Sequence, residues 1–196
     1  MEENKYKPKM LIMDLDRTLV SSHERTKKWT KEDGTLDFEN LHIGIMEMDK
    51  INKSAINLFF SLFYSLKDNA PDLRVVFLSG RNHNARAETI DFLTREFKEE
   101  FKKIAHFLYD NFIDLRQRMT LVLRDTDDYR PNHEFKREKL IELQKENDIK
   151  WFIDDDISCC SEATKLGIPA LCFMSDNVLD NYTKQNIIKF VDKELR

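Results

Sequence analysis

Glycine and proline are scarce, four of each among 196 residues, so the chain is not expected to carry long flexible linkers. Cysteine is also sparse. Cys159, Cys160 and Cys172 are an odd number, and two of them are adjacent, which does not make a disulfide framework. No C-x-x-C spacing points to zinc, and the expectation is buried thiols in a reducing compartment. Long apolar runs are missing. The most apolar stretch, Ala55–Leu66, is too short to span a bilayer and is interrupted by Asn57, Ser61 and Ser65. The first residues, MEENKYKPKM, are charged and lack the apolar core of a signal peptide. A soluble, cytoplasmic protein is the expectation. Basic charge is not in excess either: the net charge is −4, which offers no global field for nucleic acid but leaves room for a local basic groove. No G-x-x-x-x-G-K-[ST] is present, so no P-loop kinase is expected.

What remains is a charged but globular composition, 41% hydrophobic and 35% charged, sufficient for one domain over residues 1–196. The organising stretch is KMLIMDLDRTLVS, residues 9–21. Met10 to Met13 read as a short strand buried on both faces, as in a parallel sheet. It runs into Asp14 and Asp16. Two carboxylates at the end of a buried strand are costly to dehydrate without a positive partner, and a hard cation such as Mg²⁺ suits them. Thr18 brings a hydroxyl able to bond the first carboxylate.

Strands and helices then alternate. Residues 20–48 read as a flap or small insert, polar at its start, with a basic cluster of Arg25, Lys27, Lys28, Trp29 and Lys31; a hairpin or flap fits it better than a helix. Asp49 to Lys67 reads as a helix, with Ile51, Ile56, Phe59, Phe60, Phe63 and Leu66 at three- and four-residue steps. Arg74 to Leu78 is a second strand, ending in Ser79-Gly80-Arg81. A helix from about Ala85 to Ile104 follows. Thr120 to Leu123 is a third strand, ending in Arg124, and a helix starts near Asn132, the expected N-cap. Trp151 to Ile153 is a fourth strand, ending in Asp154-Asp155-Asp156. Ser158 to Leu166 is a short helix, Ala170 to Phe173 a fifth strand, and Val178 to Leu195 a final helix. The pattern predicts an α/β domain with a parallel sheet covered on both faces and a site beyond the carboxyl ends of the strands.

Those strand ends form one chemical set. Carboxylates lie on two strands, a hydroxyl and a small glycine on another, and cations between, which is what metal-dependent phosphoryl transfer uses. A carboxylate can attack phosphorus, and a second can move the proton. The set resembles the haloacid dehalogenase (HAD) superfamily of phosphatases. DLDRT (14–18) resembles its first motif, LSGR (78–81) its second, Lys136 its third and FIDDD (152–156) its fourth, over residues 9–174.

The resemblance implies a HAD-like Rossmannoid three-layer fold with a minimal cap. It implies Asp14 as nucleophile, Asp16 as general acid/base, Ser79 as phosphoryl ligand and Lys136 as the charge-balancing cation, with Thr18, Gly80 and Arg81 lining the substrate. Mg²⁺ would be held by Asp14, the backbone carbonyl of Asp16, Asp154 and Asp155. Lys139 competes with Lys136 for the third motif. The family usually has glycine where Arg17 stands.

The sweep LVLRDTDDYRPNHEFKREKL…WFIDDD is similar to the 3′-phosphatase domain of phage polynucleotide kinase. By that likeness Arg124 and Arg130 would contact the substrate phosphate or its leaving nucleotide. A position usually acidic there is Asn132. The expected function is hydrolysis of a nucleic-acid 3′-phosphate end or nucleotide. The alternatives are another small phosphomonoester, or a catalytically silent binding protein.

Overall fold

The structure is a computed structural model; it describes residues 6–37, 39–104 and 115–173. Its centre is β1 (Lys9–Met13), whose alternate side chains enter two separate cores. Leu11 and Met13 face one, and Met10 and Ile12 face the other. A central parallel strand needs apolar residues on both faces, so the unbroken run MLIM follows from its position.

A short β2 (Val20–Ser21), α1 (His23–Lys28), α2 (Ile45–Met48) and β3 (Lys50–Ile51) come next, with β2 and β3 pairing antiparallel. The flap therefore contains helical turns as well as the small hairpin, where a hairpin or flap without a helix was expected. The following helix, α3 (Lys53–Lys67), begins four residues later than the periodicity suggested. Ile51 belongs to β3, and Asn52 caps the helix by accepting from the Ser54 and Ala55 amides. Such a cap is worth about 1 kcal/mol. Asn52 also donates to the Thr18 carbonyl at 3.1 Å, tying α3 to the loop after β1.

The chain continues through β4 (Arg74–Asn82), α4 (Arg86–Ile104), β5 (Met119–Arg124), α5 (Asn132–Glu146), β6 (Asp148–Asp154), α6 (Ile157–Lys165) and β7 (Ala170–Cys172). The helix expected over 178–195 lies outside the described residues. All five long-range strands are parallel, in the order β5-β4-β1-β6-β7. This is a three-layer α/β arrangement of the Rossmannoid kind, as expected.

One face of the sheet carries α3 and α4. Phe59 of α3 packs against Phe77 of β4 at 5.8 Å and meets Phe97 of α4 edge-on at 5.3 Å. The other face carries α5 and α6, through Phe135, Leu140, Cys159, Cys160 and Ala163. The connections thus change sides between the β1/β4 half and the β6/β7 half. That switch point, beyond the carboxyl ends of the strands, is the place where such sheets put their ligands.

Candidate active site

Parallel pairing brings the carboxyl ends of β1, β4, β5 and β6 to one edge. Asp14 directly follows β1, and its amide donates to Ile153 of β6 at 2.8 Å. Asp154 ends β6 beside it. Both carboxylates are buried. Between them stands Lys136, in the second turn of α5 and itself buried; its Nζ lies 2.7 Å from Asp14 Oδ1 and 2.7 Å from Asp154 Oδ2. Lys139 pairs with Glu142 at 3.0 Å on the outside of the same helix, so it is Lys136 that reaches the strand ends. Burial alone would discharge the ammonium, but Asp14 and Asp154 outweigh it and hold the lysine pKa well above normal.

One lysine does not neutralise this corner. Asp155 joins Asp14 and Asp154, and one oxygen from each carboxylate lies within 4.8 Å of the others. Burial, partly offset by Lys136, pushes Asp14 up to about 7 and Asp154 up to about 6. Burial and the negative charge of Asp14 push Asp155 up to about 7, against the pull of Arg17. Three carboxylates that resist ionising together describe a site short of positive charge. An all-oxygen donor set of this kind fits a hard divalent cation such as Mg²⁺.

The Asp16 carboxylate is not part of that cluster. Arg81 holds it through both oxygens, Nε to Oδ2 at 2.7 Å and Nη2 to Oδ1 at 2.8 Å, and Arg25 adds a contact to Oδ1 at 2.8 Å. Burial would raise its pKa, but Arg81 first, then Arg25 and a hydrogen bond from Ser22, keep it well below the ordinary carboxylate range. Both guanidiniums also bind Asp49, Arg25 Nε to Oδ1 at 2.7 Å and Arg81 Nη2 to Oδ2 at 2.8 Å. Arg81 reaches Thr89 Oγ1 as well. Arg81 was expected to line the substrate; it is buried and spent on Asp16 and Asp49.

Arg25 and Asp49 were not singled out as site residues from the sequence. Arg25 sat within a basic cluster that resembles a solvated loop, and Asp49 was placed as the first residue of a helix.

The remaining expected residues distribute as follows. Thr18 is buried, and its hydroxyl lies 3.4 Å from Asp155 Oδ1; the partner is Asp155 rather than Asp14, because the loop after β1 folds towards β6. Ser79 is fully buried within β4, where the register with β5 shifts, and its Oγ accepts from the Arg81 amide at 3.3 Å. Gly80 lies close to α5: a Cβ there would meet Asn132 Oδ1 at 2.4 Å, and that side chain would have to move. Asn132 is not the N-cap, a position taken by Pro131; its side chain accepts from Arg124 Nη2 at 2.5 Å instead.

Arg124 is bound by its own loop. It donates to the carbonyls of Asp128 and Arg130 and lies over the Phe135 ring at 5.0 Å. Arg130 is half-exposed and paired with Asp128 at 2.8 Å and Glu138 at 2.5 Å. Neither has a described hydrogen bond or ion pair to the carboxylate cluster; Arg124 reaches Asn132 instead. Arg17 has φ 67°, a conformation that costs an L-residue roughly 1–2 kcal/mol, and its Nε lies 3.4 Å from Asp155 Oδ2.

Among the described residues no helix is long and apolar enough to cross a membrane.

No profile of a protein family and no curated protein matches the chain. Solved structures do. Two structures of the Pnkp1/Rnl/Hen1 complex, one described as an RNA repair complex, align at 21% identity with TM-scores of 0.54 and 0.53. They cover 85% and 87% of this chain but only 46% and 44% of theirs, so the chain spans less than half the length of those relatives. The HAD domain of the effector protein Lem4 from Legionella pneumophila aligns over 94% of this chain and 93% of its own, at 15% identity and a TM-score of 0.44. At these identities the likeness concerns the fold. The chain shares an α/β fold with the two Pnkp1/Rnl/Hen1 structures over most of its length, and it carries an acidic cluster suited to Mg²⁺ at the carboxyl edge of its sheet.

Proposed function

We propose that the protein is a Mg²⁺-dependent phosphomonoester hydrolase of the HAD type, working through an aspartyl-phosphate on Asp14. The observation that carries the reading is Lys136, buried and shared at 2.7 Å between Asp14 and Asp154 beside a third carboxylate. A buried ammonium in that position offsets the charge of a nucleophilic carboxylate and of an arriving phosphate together.

Asp14, Asp154 and Asp155 would hold Mg²⁺, with the Asp16 backbone carbonyl as a further donor. The ion supplies charge neutralisation for the phosphate and its attacking oxygen. An Asp14 oxygen attacks phosphorus in line, the P–O bond to the leaving group breaks, and the phosphoryl group stays on Asp14. Lys136 stabilises the oxygens that gather charge, and the buried Ser79 hydroxyl serves the transferring phosphoryl group. Water then cleaves the aspartyl-phosphate. Asp16, ionised against Arg81 and Arg25, is ready to take the proton from that water. To protonate the leaving oxygen in the first step, it needs to gain a proton and loosen those two contacts, which an arriving substrate can supply by drawing the guanidiniums to its own charge.

The substrate proposed is a nucleic-acid 3′-phosphate end or a nucleotide. The likeness of residues 121–156 to a polynucleotide 3′-phosphatase domain and the structural relative described as an RNA repair complex support it. The test is Mg²⁺-dependent phosphate release from 3′-phosphorylated oligonucleotides, mononucleotides, sugar phosphates and p-nitrophenyl phosphate. Preference for the oligonucleotide with steep salt dependence is expected. Equal rates on all four would remove the nucleic-acid reading, and turnover by Asp14→Asn equal to the parent would remove the mechanism.

A further inference from the structure

Three free thiols lie behind the carboxylate cluster, and two of them meet. Cys160, in the first turns of α6, is buried, and its Sγ lies 3.6 Å from the Asp154 carbonyl oxygen. Cys172, the last residue of β7, is only partly buried, and its Sγ lies 3.5 Å from the Asp155 carbonyl oxygen. The β6–β7 register sets Cys172 directly opposite Asp154. With their protons turned to those carbonyls, the two sulfurs also lie close enough to influence one another directly. Sulfurs from different elements therefore touch beneath two consecutive carboxylate residues. A buried thiol that only fills space has no need of such a partner.

We propose that Cys160 and Cys172 form an oxidisable dithiol, a modification site for hydroperoxides that closes to a disulfide and thereby shifts the Asp154–Asp155 backbone. Cys172, the more accessible sulfur, attacks a peroxide oxygen. The O–O bond breaks, one water leaves with the thiol proton, and Cys172 becomes a sulfenic acid. The Cys160 sulfur then attacks the Cys172 sulfur. The S–O bond breaks, and the leaving hydroxide takes the Cys160 proton to form a second water. Two thiols are oxidised and one peroxide is reduced; a dithiol reductant reverses the change.

The bridge acts on the site in two ways. Both S–H donors to the Asp154 and Asp155 carbonyls disappear. The two sulfurs also close to about 2.05 Å, drawing α6 and the end of β7 together across the β6 terminus. Outer contacts of this kind tune metal affinity by about 10–100-fold. The coupling to Mg²⁺ rests on the phosphatase reading above; the thiol chemistry does not.

The experiment treats the reduced whole chain with hydrogen peroxide, blocks remaining thiols, and maps linkages by peptide mass spectrometry. Mg²⁺ binding to reduced and oxidised protein is measured by calorimetry. A Cys160–Cys172 bridge, reversed by dithiothreitol and accompanied by at least tenfold weaker Mg²⁺ binding, is expected. Cys172→Ser and Cys160→Ser should each abolish the bridge and leave peroxide without effect on Mg²⁺ binding. A linkage through Cys159, an irreversible sulfinic acid without a bridge, or a bridge that leaves Mg²⁺ affinity unchanged overturns the proposal. If the reduced protein binds no Mg²⁺ at all, it is the phosphatase reading that fails, and the peptide map still decides the dithiol.

Discussion

Arg81 grips Asp16 with two parallel contacts of 2.7 and 2.8 Å, and the same guanidinium reaches Asp49 at 2.8 Å. Arg25 mirrors it from the flap, so two arginines and two aspartates form a closed ring of ion pairs. The side chains of Arg25, Arg81 and Asp49 are at most 3% exposed, while that of Asp16 is 30% exposed. The ring is open only at the acid that faces the site.

Breaking this ring from the flap side should be expensive. Arg25→Ala strips one of two cations from a buried Asp49, and removing one partner of a buried pair costs about 3–5 kcal/mol. Urea unfolding should show a lower midpoint with little change in slope. An unchanged midpoint would mean the ring contributes nothing to the fold.

Asp14→Asn should behave in the opposite way. The carboxylate is pushed up to about 7 chiefly by burial, so a neutral isostere removes a group that resists its charge, and Lys136 keeps Asp154. Without metal, thermal stability at pH 8 is expected to hold or rise, while turnover is lost. A large fall in Tm would show that the Asp14–Lys136 pair is a net stabiliser.

The pH dependence has a definite sign. Asp14, Asp154 and Asp155 are raised to about 7, 6 and 7, all above their ordinary value of 3.8. A carboxylate raised by folding favours the folded chain at low pH, and that advantage fades as pH climbs through the raised value. The metal-free protein should therefore lose stability between about pH 4 and pH 7. Mg²⁺ needs the ionised forms, so its affinity should rise over pH 5.5 to 8 with release of protons, readable by calorimetry in buffers of different ionisation enthalpy. Affinity that is flat across that range would contradict the cluster's assignment.

Gly80 and Asn132 should be energetically coupled. Gly80→Ala places a methyl 2.4 Å from Asn132 Oδ1, so the Asn132 side chain must swing away and give up its contact with Arg124 Nη2, a cost of about 0.5–1.5 kcal/mol. In an Asn132→Ala background most of that cost should vanish, giving a clear interaction term in a double-mutant cycle. Additive losses would place the strain elsewhere.

The sheet was legible because its strands are buried on both faces, and MLIM and RVVFL announce that by composition alone. The strand-end carboxylates and Lys136 were legible for a related reason: parallel pairing brings every carboxyl end to one edge, so residues far apart in sequence become neighbours. The ring around Asp16 was not. It depends on where α1 turns within a polar segment, and nothing in HERTKK distinguishes Arg25 from the lysines beside it. The start of α3 was misplaced for a similar reason. Ile51 fits the helical apolar stripe but also fits a strand, and pairing with Val20 decided for the strand. Arg124 and Arg130 looked like phosphate ligands because nothing in sequence shows that backbone carbonyls and neighbouring acids already occupy them.

The attachment of Arg25 to α1 has a mechanical result. The flap is anchored by a charge that is shared with Asp16. Any outward swing of residues 23–28 lifts that charge away and lets the proton affinity of Asp16 climb. In the proposed reaction, admission of a bulky guest and readiness to donate a proton would therefore be two readings of a single displacement.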